Sequence, residues 1–500
     1  MKRIKLYLII LLFLSGLGCQ LTSPTPASWS GTPSAQVQAQ RETAAAQTAQ
    51  AFFSEEPTET PLPELPTENN ATSTPSPTAP VDGPWLVFPD PKGEALLAYD
   101  VEARVILEIN LPQPIYYEDL LAGRSPQGDK LFIRAGSPEN LDELALYQIN
   151  LPEAEATSIS PLLSLVLQRQ IVNQESPRAL ETLEAVTREA SLSWSPNGRY
   201  LAFSAALDNR SSDLYLYDTW VGRTERLNGL YTHNGSAFWS PESNWLVSQE
   251  FERLASGEGW DSVNVTAIRV PGYEDQNTLY IPPAESQFEK IFGWMNAQSY
   301  LSASQTSEGF KGLREVNVEN VKSNLILEVV FRKGAFDPET KFLGLIIDQA
   351  SGANDGHSAG VYGLLPDSQN LHLIRAGEFS TLSWEPGGMF LAGGLNGLFA
   401  FPPEGQGLFL ADEVQASLSP NGNWLIACGE GARLYQPPVG VPLQTLLEAE
   451  VNSVLWQPDS LGFFIQSEGT LFHFMFPGLY PSEVTSGFSK DRAEIMVWVE

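Results

Sequence analysis

One turn recurs along this chain, and it constrains the fold more than any other feature. Its clearest copy is Leu192-Ser-Trp-Ser-Pro-Asn-Gly-Arg-Tyr-Leu-Ala-Phe-Ser204, followed by Asp213-Leu-Tyr-Leu-Tyr-Asp218. Ala237-Phe-Trp-Ser-Pro-Glu-Ser-Asn-Trp-Leu-Val-Ser248 and Ala416-Ser-Leu-Ser-Pro-Asn-Gly-Asn-Trp-Leu-Ile-Ala427 repeat it. Weaker copies begin at Arg124, Leu382 and Val454, and degenerate ones near Phe292 and Ala335. The physics of one unit is local. A short strand ends at an aromatic residue, Pro fixes φ, and Asn-Gly tolerates positive φ. The chain then returns as an antiparallel strand, and a third strand follows.

A sheet of this kind has two apolar faces and cannot stand alone. Stacking such sheets around an axis buries both faces, so the chain is expected to be all-β, a single β-propeller. Turns near Pro126, Pro196, Pro241, Met295, Pro338, Pro386, Pro420 and Pro458 mark eight units. Trp85–Phe88, Ala95–Tyr99 and Val105–Ile109 read as three strands of another, and Ala493–Val499 could supply its missing first strand. That closure joins the two ends of the repeat region and removes a free edge. The literal count is nine. Propellers typically have four to eight blades, so eight are expected, with one unit merged, and seven and nine stay open. Pro177–Ala190 carries Leu180, Leu183 and Val186 at helical spacing, so a helical insertion is expected near 160–190.

These residues resemble the WD40-like PD40 repeats of TolB-type propellers, whose motif is approximately Trp-Ser-Pro-Asp-Gly followed by a strand ending in Ala-Phe. Trp194–Phe203 matches it closely, with Asn197 in place of Asp. The resemblance implies a propeller over residues 83–500 that often serves as a protein-binding module.

The N-terminus reads as an address. Met1–Lys5 is basic, Leu6–Leu14 is apolar, and Ser15–Gly18 is a small-residue stretch ending at Cys19. This is the layout of a signal peptide, expected over 1–18. The position of Cys19 resembles the lipobox of bacterial lipoproteins, which implies lipid attachment there and an extracytoplasmic, membrane-anchored chain, in the periplasm or on the cell surface. Gly16 stands where that family usually has Leu. Residues 19–82 are rich in Pro, Thr and Ser and read as a disordered tether.

Composition excludes several functions. Sixty acidic and 29 basic residues give a net charge of −31, which repels nucleic-acid phosphates. Four His and two Cys offer little for metal or redox chemistry, and no cofactor is expected. The histidines, His233, His357, His372 and His473, show no paired ligand spacing. Asp208–Asp213 lacks an EF-hand pattern and reads as a solvated loop. Gly356-His-Ser-Ala-Gly360 fits the nucleophile-elbow pattern, but a strand rather than a helix follows Ser358, so it is read as a chance match. Cys428, in a strand-like run, reads as a buried small hydrophobe. Trp194, Trp239, Trp384 and Trp456 share one repeat position and are expected in the core. Trp220, Trp245 and Trp260 are less tied to the repeat and are the candidate ligand contacts.

The expected function is a non-enzymatic, lipid-anchored scaffold or protein-binding propeller, monomeric and with a protein partner. The alternative is a carbohydrate- or small-ligand-binding surface protein. A hydrolase or lyase with its site in the channel is a third class.

Overall fold

The turn's own hydrogen bonds explain why it recurs. The Ser195 hydroxyl donates to Asn197 Oδ1 at 2.7 Å and accepts from the Tyr200 N–H at 2.9 Å. Gly198 sits at φ +69°, where a side chain is strained. Ser419, Asn421 and Gly422 repeat the arrangement, with the Ser419 hydroxyl 2.8 Å from Asn421 Oδ1 and Gly422 at φ +72°. In two other copies a serine replaces the glycine and keeps positive φ, Ser243 at 58° and Ser460 at 61°. Each of these hydroxyls accepts an N–H from the turn of the preceding strong copy, Asn197 to Ser243 at 3.1 Å and Asn421 to Ser460 at 3.2 Å. The lost glycine is replaced by a bond between neighbouring units.

In this computed structural model the described residues are 83–500, apart from 189–190, 209–210, 229–231, 255–258, 271–277, 282–287, 349–355, 366–369, 386–388, 396, 402–407, 412–414, 438–441 and 489–494. The signal peptide (1–18), Cys19 and the tether (19–82) lie outside them. No helix among the described residues is long and apolar enough to cross a membrane.

The described residues form nine antiparallel sheets, eight of four strands and one of three. We call them blades I–IX in chain order. The expected eight is corrected to nine, because every turn motif opens its own sheet and none has merged. Nine separate apolar layers confirm the ring, each lying between two successive blades. The last joins Phe464 and Leu471 of blade IX to Leu86, Phe88 and Trp498 of blade I. Closure occurs as the sequence suggests. Val497–Val499 pairs antiparallel with Trp85–Val87 and supplies the fourth strand of blade I.

Three of the four repeat-position tryptophans, and Trp498 of the closing strand, form a second inter-blade link. The Trp194, Trp239, Trp456 and Trp498 indoles donate to the carbonyls of Gly123, Ser193, Ser417 and Trp456, at 2.8, 3.0, 3.1 and 2.7 Å. Each ring is thus core packing and a hydrogen bond at once. Cys428 packs in the apolar layer between blades VIII and IX.

Blade II is the irregular member. Its strands are Leu131–Ala135, Ala145–Asn150 and Glu155–Pro161. Isolated bridges at Ile115 and Arg124 stand where a fourth strand would run, and a short helix, α1 (Asp119–Gly123), lies between them. Asp119 gives the reason. Its carboxylate accepts the Arg134 backbone N–H at 3.2 Å and the Arg134 guanidinium at 2.6 and 2.9 Å. Both side chains are fully buried. The insertion between blades II and III holds two helices, α2 (Leu165–Val172) and α3 (Pro177–Val186). Helix α3 meets the expectation in position, and of its three spaced apolar residues Val186 is buried, Leu183 packs against the layer between blades II and III, and only Leu180 turns outward. Ala179, Thr182, Ala185 and Val186 are buried, while Leu180 is exposed.

Candidate functional site

Strand direction fixes where a site can form. The repeated turns lie on one face of the ring. The starts of the first strands, the ends of the second strands and the connections between blades lie on the other. The insertion is such a connection, and a cleft of about 660 Å³ opens beside it.

Blades III, IV and V build the cleft. Ser204 comes from Tyr200–Ala205 of blade III. Asn234 and Phe238 come from His233–Trp239, Gln249 and Phe251 from Trp245–Arg253, and Trp260 and Asp261 from Trp260–Arg269, all in blade IV. Phe288, Glu289, Lys290 and Gln305 come from blade V and its approach. The insertion contributes Ala185, Arg188 and Ser191.

An aromatic cluster forms one wall. Trp260 meets Phe251 edge-on at 5.0 Å and His233 at 5.5 Å. The Arg188 guanidinium lies over Phe251 at 4.7 Å and Phe288 at 5.1 Å. Helix α3 is latched to this wall. Glu184 Oε1 accepts from the Trp260 indole at 3.3 Å and pairs with Arg253 at 2.5 Å. Arg253 in turn covers the Trp260 ring at 5.0 Å.

The polar groups around the cleft are unusual in this molecule. Most inter-blade layers are Leu, Ile and Phe, but blades III–V bury Ser204, Ser212, Asn228, Asn234, Ser248 and Glu250. Asn228, Asn234 and Ser248 form one network, and Glu250 accepts from the Thr232, Thr266 and Asn264 side chains. Several buried polar atoms here have no hydrogen-bond partner in the protein, among them Ser191 Oγ, His233 Nε2, Ser262 Oγ, Tyr300 OH and Ser302 Oγ. Outside residues 191–314 the described residues show one, Gln466 Nε2. Of these atoms only Ser191 Oγ belongs to a residue that lines the cleft.

His233 is neutral in this setting. Burial pushes its pKa down to about 3, and the charge of Arg178 adds to that. Its Nδ1 accepts the Ser212 N–H at 3.1 Å. The unfolded chain binds a proton near pH 6.5 and the folded chain does not, so protonation favours unfolding as pH falls through that value. Replacing His233 with Asn keeps an acceptor and removes the titration. The stability of the natural protein relative to this variant is expected to fall by about 2 kcal/mol between about pH 7.5 and about pH 5. Chemical unfolding at the two pH values checks it, and a pH-independent difference would refute it.

Trp260 lines the cleft. Trp220 is 72 % exposed on the turn after Asp213–Asp218, with the Arg199 guanidinium over its ring at 4.7 Å. Trp245 is corrected as an exposed contact. It is 6 % exposed in the layer between blades IV and V, because it occupies the repeat position held by Tyr200 and Tyr300. Ser358 precedes the strand Gly360–Leu365, and its hydroxyl lies 3.5 Å from that of Tyr362. Among the described residues no group of three His, Cys, Asp or Glu side chains is placed to hold a metal. Asp208 and Asp213 instead share Arg226, at 2.8 and 2.7 Å. Sequence reasoning missed Arg188, Ser191 and Phe251, whose only common signal is proximity in the ring.

No family model and no curated protein matches this chain. Among solved structures, a eukaryotic initiation factor is similar over 83 % of this chain and 98 % of its own, with 10 % identity and a TM-score of 0.51. That likeness is one of fold. Dipeptidyl peptidase 4 from Porphyromonas gingivalis matches over 76 % of this chain, with 12 % identity and a TM-score of 0.45, and this chain spans 64 % of its length. TolB from Acinetobacter baumannii matches over 81 % of this chain and 78 % of its own, with 10 % identity and a TM-score of 0.29.

Proposed function

We propose that this chain is a binding module that holds a small polar ligand, of sugar size, in the cleft of blades III–V. The observation that carries the reading is the cleft itself. Its volume of about 660 Å³ lies within the usual range of ligand sites. Its wall combines Trp260, Phe251 and Phe288 with serine and amide side chains, the mixture that grips a ring by its face and its hydroxyls. The reading is of binding without catalysis. Titrating the purified full chain with a panel of monosaccharides and small metabolites tests it. At least one compound is expected to bind, and Trp260→Ala should weaken it about tenfold, or about 1.4 kcal/mol. Binding that is indifferent to Trp260 would place the ligand elsewhere.

We place the module outside the cytoplasm, held to a membrane by lipid on Cys19. The basic, apolar and small-residue succession before that Cys supports this. Cys19→Ala should move the protein from the membrane to the soluble fraction, and continued sedimentation with membranes would count against the anchor.

A second reading, the protein scaffold, is favoured by one observation. Leu165, Val166 and Val172 of α2 and Leu180 of α3 are 67, 47, 71 and 48 % exposed. Apolar side chains turned outward on an insertion suit a protein contact. Crosslinking in the native host followed by mass spectrometry would show a partner joined through α2.

A further inference from the structure

We infer that the ligand of this cleft carries an acidic group, a carboxylate or a phosphate, and that Arg188 selects it. The inference rests on the cleft being a ligand site, as proposed above.

The Arg188 guanidinium carbon lies 4.7 and 5.1 Å from the ring centroids of Phe251 and Phe288, which are themselves 6.2 Å apart, so both rings flank it from one side. The N–H donors of a guanidinium lie in one plane along its edge, away from rings packed on one side of it. That edge matches two oxygens of a carboxylate or phosphate, which an ammonium cannot do.

The backbone that carries Arg188 is held from behind. Arg134 Nη1 donates to the carbonyls of Val186 and Arg188, both at 2.9 Å. Arg134 is itself locked by its fully buried pair with Asp119. The chain therefore enters the cleft from an anchored point, which lowers the ordering cost of binding. Three residues on, Ser191 is 4 % exposed, lines the same cleft, and has a hydroxyl without a partner. Lys290 adds a second cation to the lining.

Two acids share the lining, Asp261 and Glu289. The chain's net charge of −31 opposes an anion at long range. Salt screens that field beyond roughly 8 Å at physiological ionic strength, while a contact pair at the cleft is screened much less.

Three probes with one ring separate the possibilities: glucose, glucuronate and glucose 6-phosphate. Each is titrated by saturation-transfer NMR against the full chain, Arg188→Gln, Arg188→Lys and Trp260→Ala. At least one charged probe is expected to bind about tenfold or more tightly than glucose. Whether glucuronate or glucose 6-phosphate is preferred identifies the oxyanion. Arg188→Gln should bring all three within about twofold, and Arg188→Lys should keep part of the preference. Glucose binding as tightly as both charged probes, still dependent on Trp260, overturns the acidic-ligand inference and leaves the cleft reading standing. An anion preference that survives in Arg188→Gln also overturns it. If none of the three binds at millimolar concentration, the cleft reading falls and this inference falls with it.

Discussion

Replacing Arg134 with leucine is expected to destabilise the propeller by about 3–5 kcal/mol. The substitution leaves the Asp119 carboxylate in a site of zero exposure without its cation. It also removes the donor to the carbonyls of Val186 and Arg188. The larger cost is the stranded charge, and the sign of a second substitution shows it. Adding Asp119→Leu should recover at least half of the lost stability, because a buried ion pair exchanged whole for apolar side chains is often close to neutral. The two carbonyls also lose their donor, so the recovery is not expected to be complete. Chemical unfolding of the single and double variants provides the measurement. A loss below about 1 kcal/mol in Arg134→Leu would mean that Asp119 finds another partner. The variant also loosens the backbone that presents Arg188, so its ligand affinity should fall even where it remains folded.

Removing Met496–Glu500 is expected to cost more. Met496, Val497, Trp498 and Val499 are all buried, at 6, 3, 6 and 4 % exposure. At about 1.5–3 kcal/mol for each large apolar side chain, their burial amounts to several kcal/mol. That is comparable with the whole stability of many folded domains, about 5–15 kcal/mol. The deletion also exposes the edge of Trp85–Pro89, a strand that is buried throughout. Thermal unfolding should lose its cooperative transition, and the protein should aggregate. Trp498→Phe is the milder control. It keeps the ring and loses the 2.7 Å bond to the Trp456 carbonyl, at a cost of about 1–2 kcal/mol. A truncated chain that melts like the full one would show that the ring does not depend on this seam.

Much of the ring is legible in the sequence because its instructions are local. Pro196, Asn197 and Gly198 specify a turn within a few residues, and the hydrogen bonds of Ser195 act within the same span. The closing strand is legible because the first three strands of blade I lack a fourth. The blade number is misjudged only where a general frequency is set above the literal count. Helix α2 falls within the helical insertion expected near 160–190 but is not singled out there, because β-branched Val166, Ile171 and Val172 weaken its pattern. Its signal is Ser164, whose hydroxyl caps the Leu167 N–H at 3.3 Å. Trp245 misleads because the copies are compared at the turn and not at the strand that follows. Aligned there, it falls with Tyr200 and Tyr300.

The cleft is far less legible. Trp260 stands out as a tryptophan away from the repeat, but its neighbours come from segments more than a hundred residues apart, from Ala185 to Ser307. No periodicity links Arg188 to Phe288. Only stacking of blades III, IV and V brings them together, and only the Arg134–Asp119 pair of blade II fixes the insertion that carries Arg188.

The most direct test of the cleft is a hydrogen-exchange footprint of the full chain, with and without the tightest small ligand found. The account predicts slowed exchange in three places: around Arg188–Ser191, in the His233–Trp239 strand, and at Phe288–Lys290. Blades VI–IX should be unchanged. Protection confined to Leu165–Val172, or absent from all three segments while the ligand is bound, would contradict it.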